Sequence, residues 1–294
     1  MQTTLVTPAL LAQHLEDRHW IVLDIRHDLM HPERWGEDQY RAGHVPGAAF
    51  LHLDRDLSAP KTGRNGRHPL PSAYHAAATF ARVGVAPETQ VVVYDQNNGM
   101  YASRAWWMLR WLGHRAVALL DGGYDRWVRE GRPVTTDVPS PRETSFTPSK
   151  PLPVADAREI LASLPKRDLV VIDARAPERF RGETEPLDPV AGHIPGARNR
   201  PYAANLDIDG TFKDAHTLRR EFDELLGNAK LDRVVHQCGS GVTSCHNVLA
   251  MAIAGYPETR LYPGSWSEWV ADPTRPVATG RKGEVAASQR AIGR

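Results

Sequence analysis

Cysteine is scarce in this chain, neither sign of charge is in excess, and long apolar runs are missing. Two cysteines among 294 residues exclude a disulfide scaffold and predict a reducing, cytoplasmic location. Because 36 basic side chains are balanced by 35 acidic ones, we expect neither nucleic acid nor a membrane surface as a partner. No run approaches the roughly 18 apolar residues of a membrane span, and the first residues do not read as a secretory signal. The sequence therefore predicts a soluble protein, with a length typical of two domains.

An internal repeat organises the chain. The segments VLDIR at residues 22–26 and AGHVPGA at 42–48 recur, in the same order and spacing, as VIDAR at 171–175 and AGHIPGA at 191–197. Within each half, short β-branched runs alternate with stretches of helical period, which is typical of parallel sheets. We therefore predict an α/β protein of two similar domains, each a parallel sheet flanked by helices on both faces.

Composition and periodicity place the domain limits and the main elements. The predicted parts are an N-terminal domain at 1–135, a proline-rich linker at 136–153, a C-terminal domain at 154–280 and a polar tail at 281–294. The clearest elements are strands at 91–94 and 234–236 and helices at 102–112 and 242–254. One basic, glycine-rich segment at 58–69 belongs to the first half alone, and it is either a surface insertion or a functional loop.

The chemistry concentrates in the loop after the second of these strands. Cys238 is followed by Gly239, Ser240 and Gly241, and the predicted helix begins near Val242. Two glycines let the backbone turn so that successive amides point to one place, at the positive end of a helix dipole. A thiol in that place ionises more easily than a free one. The loop therefore predicts a nucleophilic sulfur beside a cradle for an anion.

Alternatives for the two cysteines follow from the same loop. The matching position in the first half is Gln96, so that half is predicted to be chemically silent. Cys238 is alternatively a buried structural residue, and Cys245, along the predicted helix, is expected to be a packing residue. A disulfide between them would disable the nucleophile. Phosphatases with such loops need an arginine where this chain has Ser244, so phosphatase activity is not expected.

These residues resemble the tandem rhodanese-domain sulfurtransferases. The sequence CGSGVT at 238–243, the paired motifs at 42–48 and 191–197, and GSWSEW at 264–269 carry the resemblance, which covers nearly the whole chain. It implies two rhodanese-like domains with the C-terminal one catalytic. It also implies that Cys238 takes a sulfur atom as a persulfide and passes it to cyanide or a thiol, including that of a thioredoxin-like reductant. No cofactor is implied.

The resemblance leaves the sulfur donor open. A CGSGVT loop is typical of 3-mercaptopyruvate sulfurtransferases, whereas thiosulfate sulfurtransferases carry basic residues at its second and third positions. Arg179 matches the arginine that binds the substrate carboxylate, but a second substrate arginine is replaced here by Leu187. Thiosulfate therefore stays an alternative donor, and a non-catalytic sulfur carrier or binding module is a further alternative. The loop residues assigned to substrate binding are Gly239, Gly241, Val242 and Thr243.

A proton relay is also implied by the resemblance. Asp54, His68 and Ser240 match an Asp–His–Ser set of the family in which the serine hydroxyl assists the chemistry at the thiol. The extra segment of the first half would then carry His68 across the domain interface; the alternative is an exposed loop histidine. His44 and His193 lie in the repeated motif and are expected to be structural, because the silent half has one too.

No metal site is predicted from the sequence. His27 and His31 have helical spacing, but Pro32 follows them and no third ligand is near in sequence. The segment at 205–210 resembles the start of a calcium loop, yet His216 stands where the closing glutamate belongs, so we expect a plain turn.

Overall fold

Two parallel sheets form the framework of the molecule. The structure is a computed structural model that describes residues 1–140, 143–149, 151–281 and 284–285. In the N-terminal half the strand order is β1-β5-β4-β2-β3, and every pair is parallel. These strands are β1 (Leu5–Val6), β2 (Trp20–Asp24), β3 (Ala49–Phe50), β4 (Gln90–Tyr94) and β5 (Val117–Leu120). The helices of this half are α1 (Pro8–Ala12), α2 (Trp35–Ala42), α3 (Ala73–Arg82), α4 (Ala102–Trp111) and α5 (Gly123–Arg129).

The C-terminal half repeats this arrangement with one strand fewer. Its parallel sheet has the order β7-β6-β8-β9. The strands are β6 (Val170–Asp173), β7 (Arg198–Asn199), β8 (Val234–Gln237) and β9 (Arg260–Leu261). The helices are α6 (Ala157–Ser163), α7 (Pro177–Arg181), α8 (Ala215–Leu226), α9 (Ser244–Ile253) and α10 (Ser265–Trp269). A short antiparallel pair, β10 (Ala278–Thr279) and β11 (Glu284–Val285), follows.

Helices cover both faces of each sheet, as the sequence predicts. In β4, Val91 and Val93 face one apolar core while Val92 and Tyr94 face another, because successive side chains of a strand alternate. Helices α3 and α4 contribute to the first of these cores, and α1 and α5 to the second. The fold class is therefore confirmed, as are the predicted strands and helices, with α9 beginning at Ser244.

The two halves share one core. Helices α4 and α9 pack against each other, and their buried side chains belong to a single apolar cluster that also includes residues from both sheets. Each of these helices follows the central strand of its own sheet. The loops at the carboxyl ends of β4 and β8 therefore meet at the boundary between the halves, where His246 contacts the Asn98 carbonyl at 2.9 Å.

The connector between the halves is extended. Its described residues contain neither helix nor strand, and the backbone amides of Thr144, Ser149 and Leu152 donate to carbonyls near the ends of α3 and α4. Most of the predicted tail, residues 282–283 and 286–294, lies outside the described residues, and the domain limits stay a prediction. Among the helices described, none combines the length and the apolar character needed to cross a membrane.

Candidate active site

The loop between β8 and α9 is fastened to the start of α10. The Cys238 amide donates to Ser265 Oγ at 3.1 Å. The amides of Trp266 and Ser267 in turn donate to the carbonyls of Cys238 and Gly239, at 3.0 and 2.9 Å. These hydrogen bonds hold the loop backbone from outside, so its remaining amides are free to point inward.

Gly241 makes the turn of this loop. Its φ of +78° is strained for any residue with a side chain. A Cβ atom there would also lie 2.2 Å from the Pro263 carbonyl oxygen, which is backbone and cannot move aside. The expected role of the second glycine, a tight turn of the chain, is thus what the structure shows.

The Cys238 sulfur lies inside this turn. The side chain is almost wholly buried, and burial alone would favour the thiol. Against this, the nearby hydroxyls of Thr243 and Ser244 and the backbone amides of Ser240 and Ser244 favour the thiolate, and the pKa of Cys238 is lowered below its ordinary value. The loop therefore favours a thiolate at the amino terminus of α9.

Cys245 lies in the first turn of α9 and differs from Cys238 in state. Its Sγ is 3.4 Å from the Gly241 carbonyl, and burial raises the pKa of Cys245 to about 12, so it stays a thiol. Both cysteines are free. This placement agrees with a packing role and leaves Cys238 unblocked.

Residues from the first half reach this loop. His68 Nδ1 lies 2.7 Å from Ser240 Oγ, and His68 Nε2 lies 3.5 Å from Asp54 Oδ1. Burial lowers the pKa of His68 to about 3, so the ring is neutral at neutral pH, and in the tautomer with the proton on Nε2 its Nδ1 accepts a hydrogen bond from the serine hydroxyl. His68 is buried rather than an exposed loop histidine, and the segment 58–69 does bring it to Cys238's loop.

Asp54 is also part of a small polar cluster. Ligand atoms of His27, His52 and Asp54 lie within 4.8 Å of one another, a grouping that the sequence spacing did not reveal. However, the Lys61 ammonium already contacts Asp54 at 3.1 Å, and two backbone amides donate to His52 Nδ1 at 3.1 and 3.3 Å. The other His52 nitrogen therefore carries the ring proton and cannot bind a cation. These residues fit a hydrogen-bonded cluster better than a metal centre.

A cavity of about 160 Å³ opens above the cysteine. It brings together Cys238, Gly239, Ser240, Val242 and Thr243 of the loop with His68 and Arg179. Two of the predicted site residues, Asp54 and Gly241, do not line the cavity. Asp54 contacts the side of His68 away from Ser240, and Gly241 forms the turn of the loop. Further lining residues are Leu29, Arg67, Met100, Tyr101, Ala174, Arg175, Ala176, Leu187 and Tyr202.

The charged wall of the cavity consists of arginines backed by carboxylates. Arg179 Nη2 contacts Glu185 Oε1 at 2.5 Å and Asp188 Oδ2 at 3.7 Å, and Arg67 Nη1 is paired with Asp188 Oδ1. The two carboxylate side chains are 3% exposed, whereas Arg179 and Arg67 are 18% and 25% exposed. The surface that an entering anion meets is therefore positive.

Sequence reasoning missed one buried cation, Arg104. This side chain of α4 donates to the Gly241 carbonyl at 2.9 Å and to the His68 carbonyl at 3.3 Å, and no carboxylate pairs with it among the described residues. Burial lowers the pKa of Arg104, while the nearby thiols of Cys245 and Cys238 act in the opposite direction. Arginine within an apolar helix of the repeat was the signal that could have indicated it.

Comparison with known proteins agrees with this geometry. The profile of the Rhodanese-like domain matches the chain twice, at residues 7–130 and 156–272. This chain belongs to the rhodanese family. It is 47% identical to the "Probable 3-mercaptopyruvate sulfurtransferase" of Pseudomonas aeruginosa, over 94% of this chain and 98% of the relative. It is 36% identical to the thiosulfate sulfurtransferase of Gallus gallus, over 81% and 82%. The structure of 3-mercaptopyruvate sulfurtransferase from Leishmania major superposes with a TM-score of 0.79, at 30% identity, over 91% of this chain and 74% of that chain.

In the first rhodanese unit, a side chain of the unit itself binds the amides of the loop that corresponds to the cysteine loop. Its loop between β4 and α4 carries Gln96 in place of cysteine, and the preceding Asp95 accepts hydrogen bonds from the amides of Gly99, Tyr101 and Ala102 at 2.8–3.1 Å. A buried carboxylate thus accepts hydrogen bonds from the backbone amides of this loop. This gives a physical reason for the predicted silence of the first half.

Proposed function

We propose that this chain is a sulfurtransferase that moves the sulfur atom of 3-mercaptopyruvate to a thiophilic acceptor through a Cys238 persulfide. The observation that carries the proposal is a buried cysteine with a lowered pKa, facing a small cavity whose opposite wall presents Arg179. The relatives named for this activity support it as well.

In the first step the Cys238 thiolate attacks the sulfur of the donor. A sulfur–sulfur bond forms, the carbon–sulfur bond breaks, and its electron pair passes to carbon as the enolate of pyruvate. Arg179 binds the donor carboxylate, and the loop amides and the Thr243 hydroxyl stabilise the anionic sulfur. The thiol proton of the donor moves to the enolate carbon, so pyruvate leaves and a persulfide anion stays on the cysteine.

We assign this proton movement to Ser240, His68 and Asp54. The serine lines the same cavity as Cys238, and its hydroxyl contacts the neutral ring of His68, which takes up and returns a proton. Burial opposes ionisation of Asp54, but the Lys61 ammonium at 3.1 Å helps to lower the pKa of Asp54, and we propose that the resulting carboxylate orients the neutral ring of His68.

In the second step an acceptor removes the outer sulfur. Cyanide yields thiocyanate and the thiolate is regenerated; a thiol, such as that of a thioredoxin-like reductant, is the physiological type of acceptor that we propose. The free state of both cysteines supports a reducing, cytoplasmic location.

Thiosulfate is a second candidate donor. The second substrate arginine of mercaptopyruvate enzymes is Leu187 here, and a relative named thiosulfate sulfurtransferase covers most of the chain. Transfer from thiosulfate releases sulfite and moves no proton. A comparison of kcat/KM for the two donors decides between them.

The decisive experiment is incubation with 3-mercaptopyruvate followed by mass spectrometry. We expect a mass gain of one sulfur atom on Cys238, none in Cys238→Ser, and an unchanged gain in Cys245→Ser as the matched control. Turnover with a small thiol acceptor then separates an enzyme from a sulfur carrier. Absence of the mass gain with both donors in the unmodified protein would refute the proposal.

A further inference from the structure

Among the arginines that line the cavity, Arg67 is one to which the sequence analysis assigns no role. We propose that Arg67, from the N-terminal rhodanese unit, is a substrate-binding residue that grips the anionic end of the donor together with Arg179. Leu187 stands where mercaptopyruvate enzymes have a second substrate arginine. Arg67 supplies the missing positive charge from a different wall of the cavity. This inference rests on the proposed function and deepens it.

The position of Arg67 is fixed by α10. Its backbone amide donates to Ser267 Oγ at 3.0 Å, and Ser267 is itself bonded to the carbonyl of Gly239 in the cysteine loop. These hydrogen bonds therefore fix the position of the segment 58–69 relative to the loop that carries Cys238. Arg67 precedes His68, so one short stretch of chain delivers both side chains.

Both guanidinium groups lie over the same point of the loop. A Cβ atom on Gly239 would be 2.7 Å from Arg67 Nη2 and 3.6 and 3.7 Å from the two terminal nitrogens of Arg179. Gly239 directly follows Cys238. An anion attached to a sulfur at Cys238 thus meets donors from two sides, one from each rhodanese unit.

Arg67 keeps donors available for this contact. Its Nη1 is paired with Asp188, and the structure gives its other side-chain nitrogens no hydrogen bond within the described residues. A guanidinium has five N–H groups, so several still face the cavity. The Asp188 carboxylate orients the Arg67 guanidinium, which stays partly exposed to solvent.

The absence of a side chain at Gly239 is part of the same arrangement. In the resemblance described above, thiosulfate sulfurtransferases carry basic residues at this position and the next. Here the space above Gly239 is occupied by the Arg67 guanidinium. The charge that those enzymes place in the loop is thus provided from the other half of the molecule.

The test is Arg67→Gln, assayed with 3-mercaptopyruvate and with thiosulfate. We expect KM for the carboxylated donor to rise roughly 10- to 100-fold, the effect of one charge-assisted contact, while kcat changes less than about threefold. Arg67→Lys keeps the charge, so its KM is expected to lie between those of the unmodified protein and Arg67→Gln. Arg64→Gln, in the same segment but outside the cavity, is the matched control and should behave as the unmodified protein.

Rescue separates binding from structure. Leu187→Arg in the Arg67→Gln background should bring KM back towards the original value, because Leu187 lines the same cavity, although the ion pair with Asp188 stays broken. An unchanged KM in Arg67→Gln, or a lowered Tm with no recovery of KM by Leu187→Arg, would overturn the assignment. Failure of the proposed function is a different result, namely no transfer by the unmodified protein.

Discussion

At the scale of single residues, His68 is a group whose environment in this site differs strongly from that of an exposed histidine. The ring is buried between Ser240 and Asp54, with the Arg104 guanidinium at its backbone carbonyl. Burial outweighs the nearby carboxylate and lowers the pKa of His68 to about 3. A neutral imidazole is the form that accepts a proton from a hydroxyl, so the surroundings select the state that a relay needs.

We predict that His68→Ala slows turnover of 3-mercaptopyruvate more than that of thiosulfate. Only the carbon leaving group needs a proton, and positioned proton transfer is worth about 10²- to 10⁴-fold. The measurement is kcat/KM for both donors, with His68→Asn as a variant that retains a polar group beside Ser240 but cannot carry the proton. Equal losses with the two donors would remove His68 from the proton path.

Some of these residues are readable from sequence and others are not. Cys238 and its glycines form a contiguous motif, so their local geometry follows from the chain itself. Arg67 and Arg104 come to the site from the other half of the molecule. Their contacts depend on how α4 packs against α9 and on the path of the segment 58–69, and neither of these has a local pattern in the sequence.

At the scale of elements, the repeated motifs are explained by an ion pair at a strand end. Arg26 binds the carboxylate of Asp24 and donates to the Gly43 carbonyl at 2.7 Å. Arg175 makes the same contacts with Asp173 and Gly192, again at 2.7 Å. Each pair connects the end of an inner strand to the first glycine of the GH(V/I)PGA motif.

The histidines of that motif have a matching structural role. Nδ1 of His44 contacts the Tyr40 carbonyl at 2.8 Å, and Nδ1 of His193 contacts the Phe180 carbonyl at 2.7 Å. Both rings stack on the aromatic side chain of that same residue. Because these contacts occur in both halves, the repeat could be interpreted from sequence as framework rather than chemistry.

The cysteine loop depends on the turn at Gly241, and we predict that Gly241→Ala abolishes sulfur transfer and destabilises the fold. A positive φ costs about 1–2 kcal/mol for an L residue, and here the new methyl group would also overlap the Pro263 carbonyl. The measurements are urea unfolding and persulfide formation.

Gly210→Ala is the matched control for this loop. Its φ is +84°, and a Cβ atom there would meet nothing within 4 Å. It should lose only the conformational cost, about 1–2 kcal/mol, and retain full sulfur transfer. If Gly241→Ala were no more harmful than Gly210→Ala, the tight packing of the loop on Pro263 would not be required.

At the scale of the whole molecule, the site is a product of both rhodanese units. The second unit provides Cys238, the proposed nucleophile, and Arg179, and the first unit brings His68, Asp54 and Arg67 to the same place. The first unit has Gln96 in place of the cysteine, and Asp95 accepts hydrogen bonds from the amides of its own loop. The shared core around α4 and α9 then holds the two contributions at fixed distance.

Buried neutral histidines make the whole molecule sensitive to acid. Burial lowers the pKa of His236 to about 3 and that of His246 to about 4, and His68 and His27 are shifted in the same direction. Their ordinary value is about 6.5. Between the two values the unfolded chain binds protons that the folded chain does not. The free energy of unfolding therefore falls as pH drops from about 6.5 towards 4.

We predict that Tm decreases as pH drops from about 6.5 to 5, and that His236→Leu makes this decrease shallower. His236 is fully buried in β8, and neither ring nitrogen has a hydrogen-bond partner among the described residues, so an apolar replacement removes a titrating group without breaking a contact. The slope it removes is at most about 1.4 kcal/mol per pH unit. Exposed His75, replaced by Gln, is the control and should leave the slope unchanged. Parallel pH curves for His236→Leu and the unmodified protein would contradict the assignment, because they would mean that burial of this ring does not set the acid sensitivity of the fold.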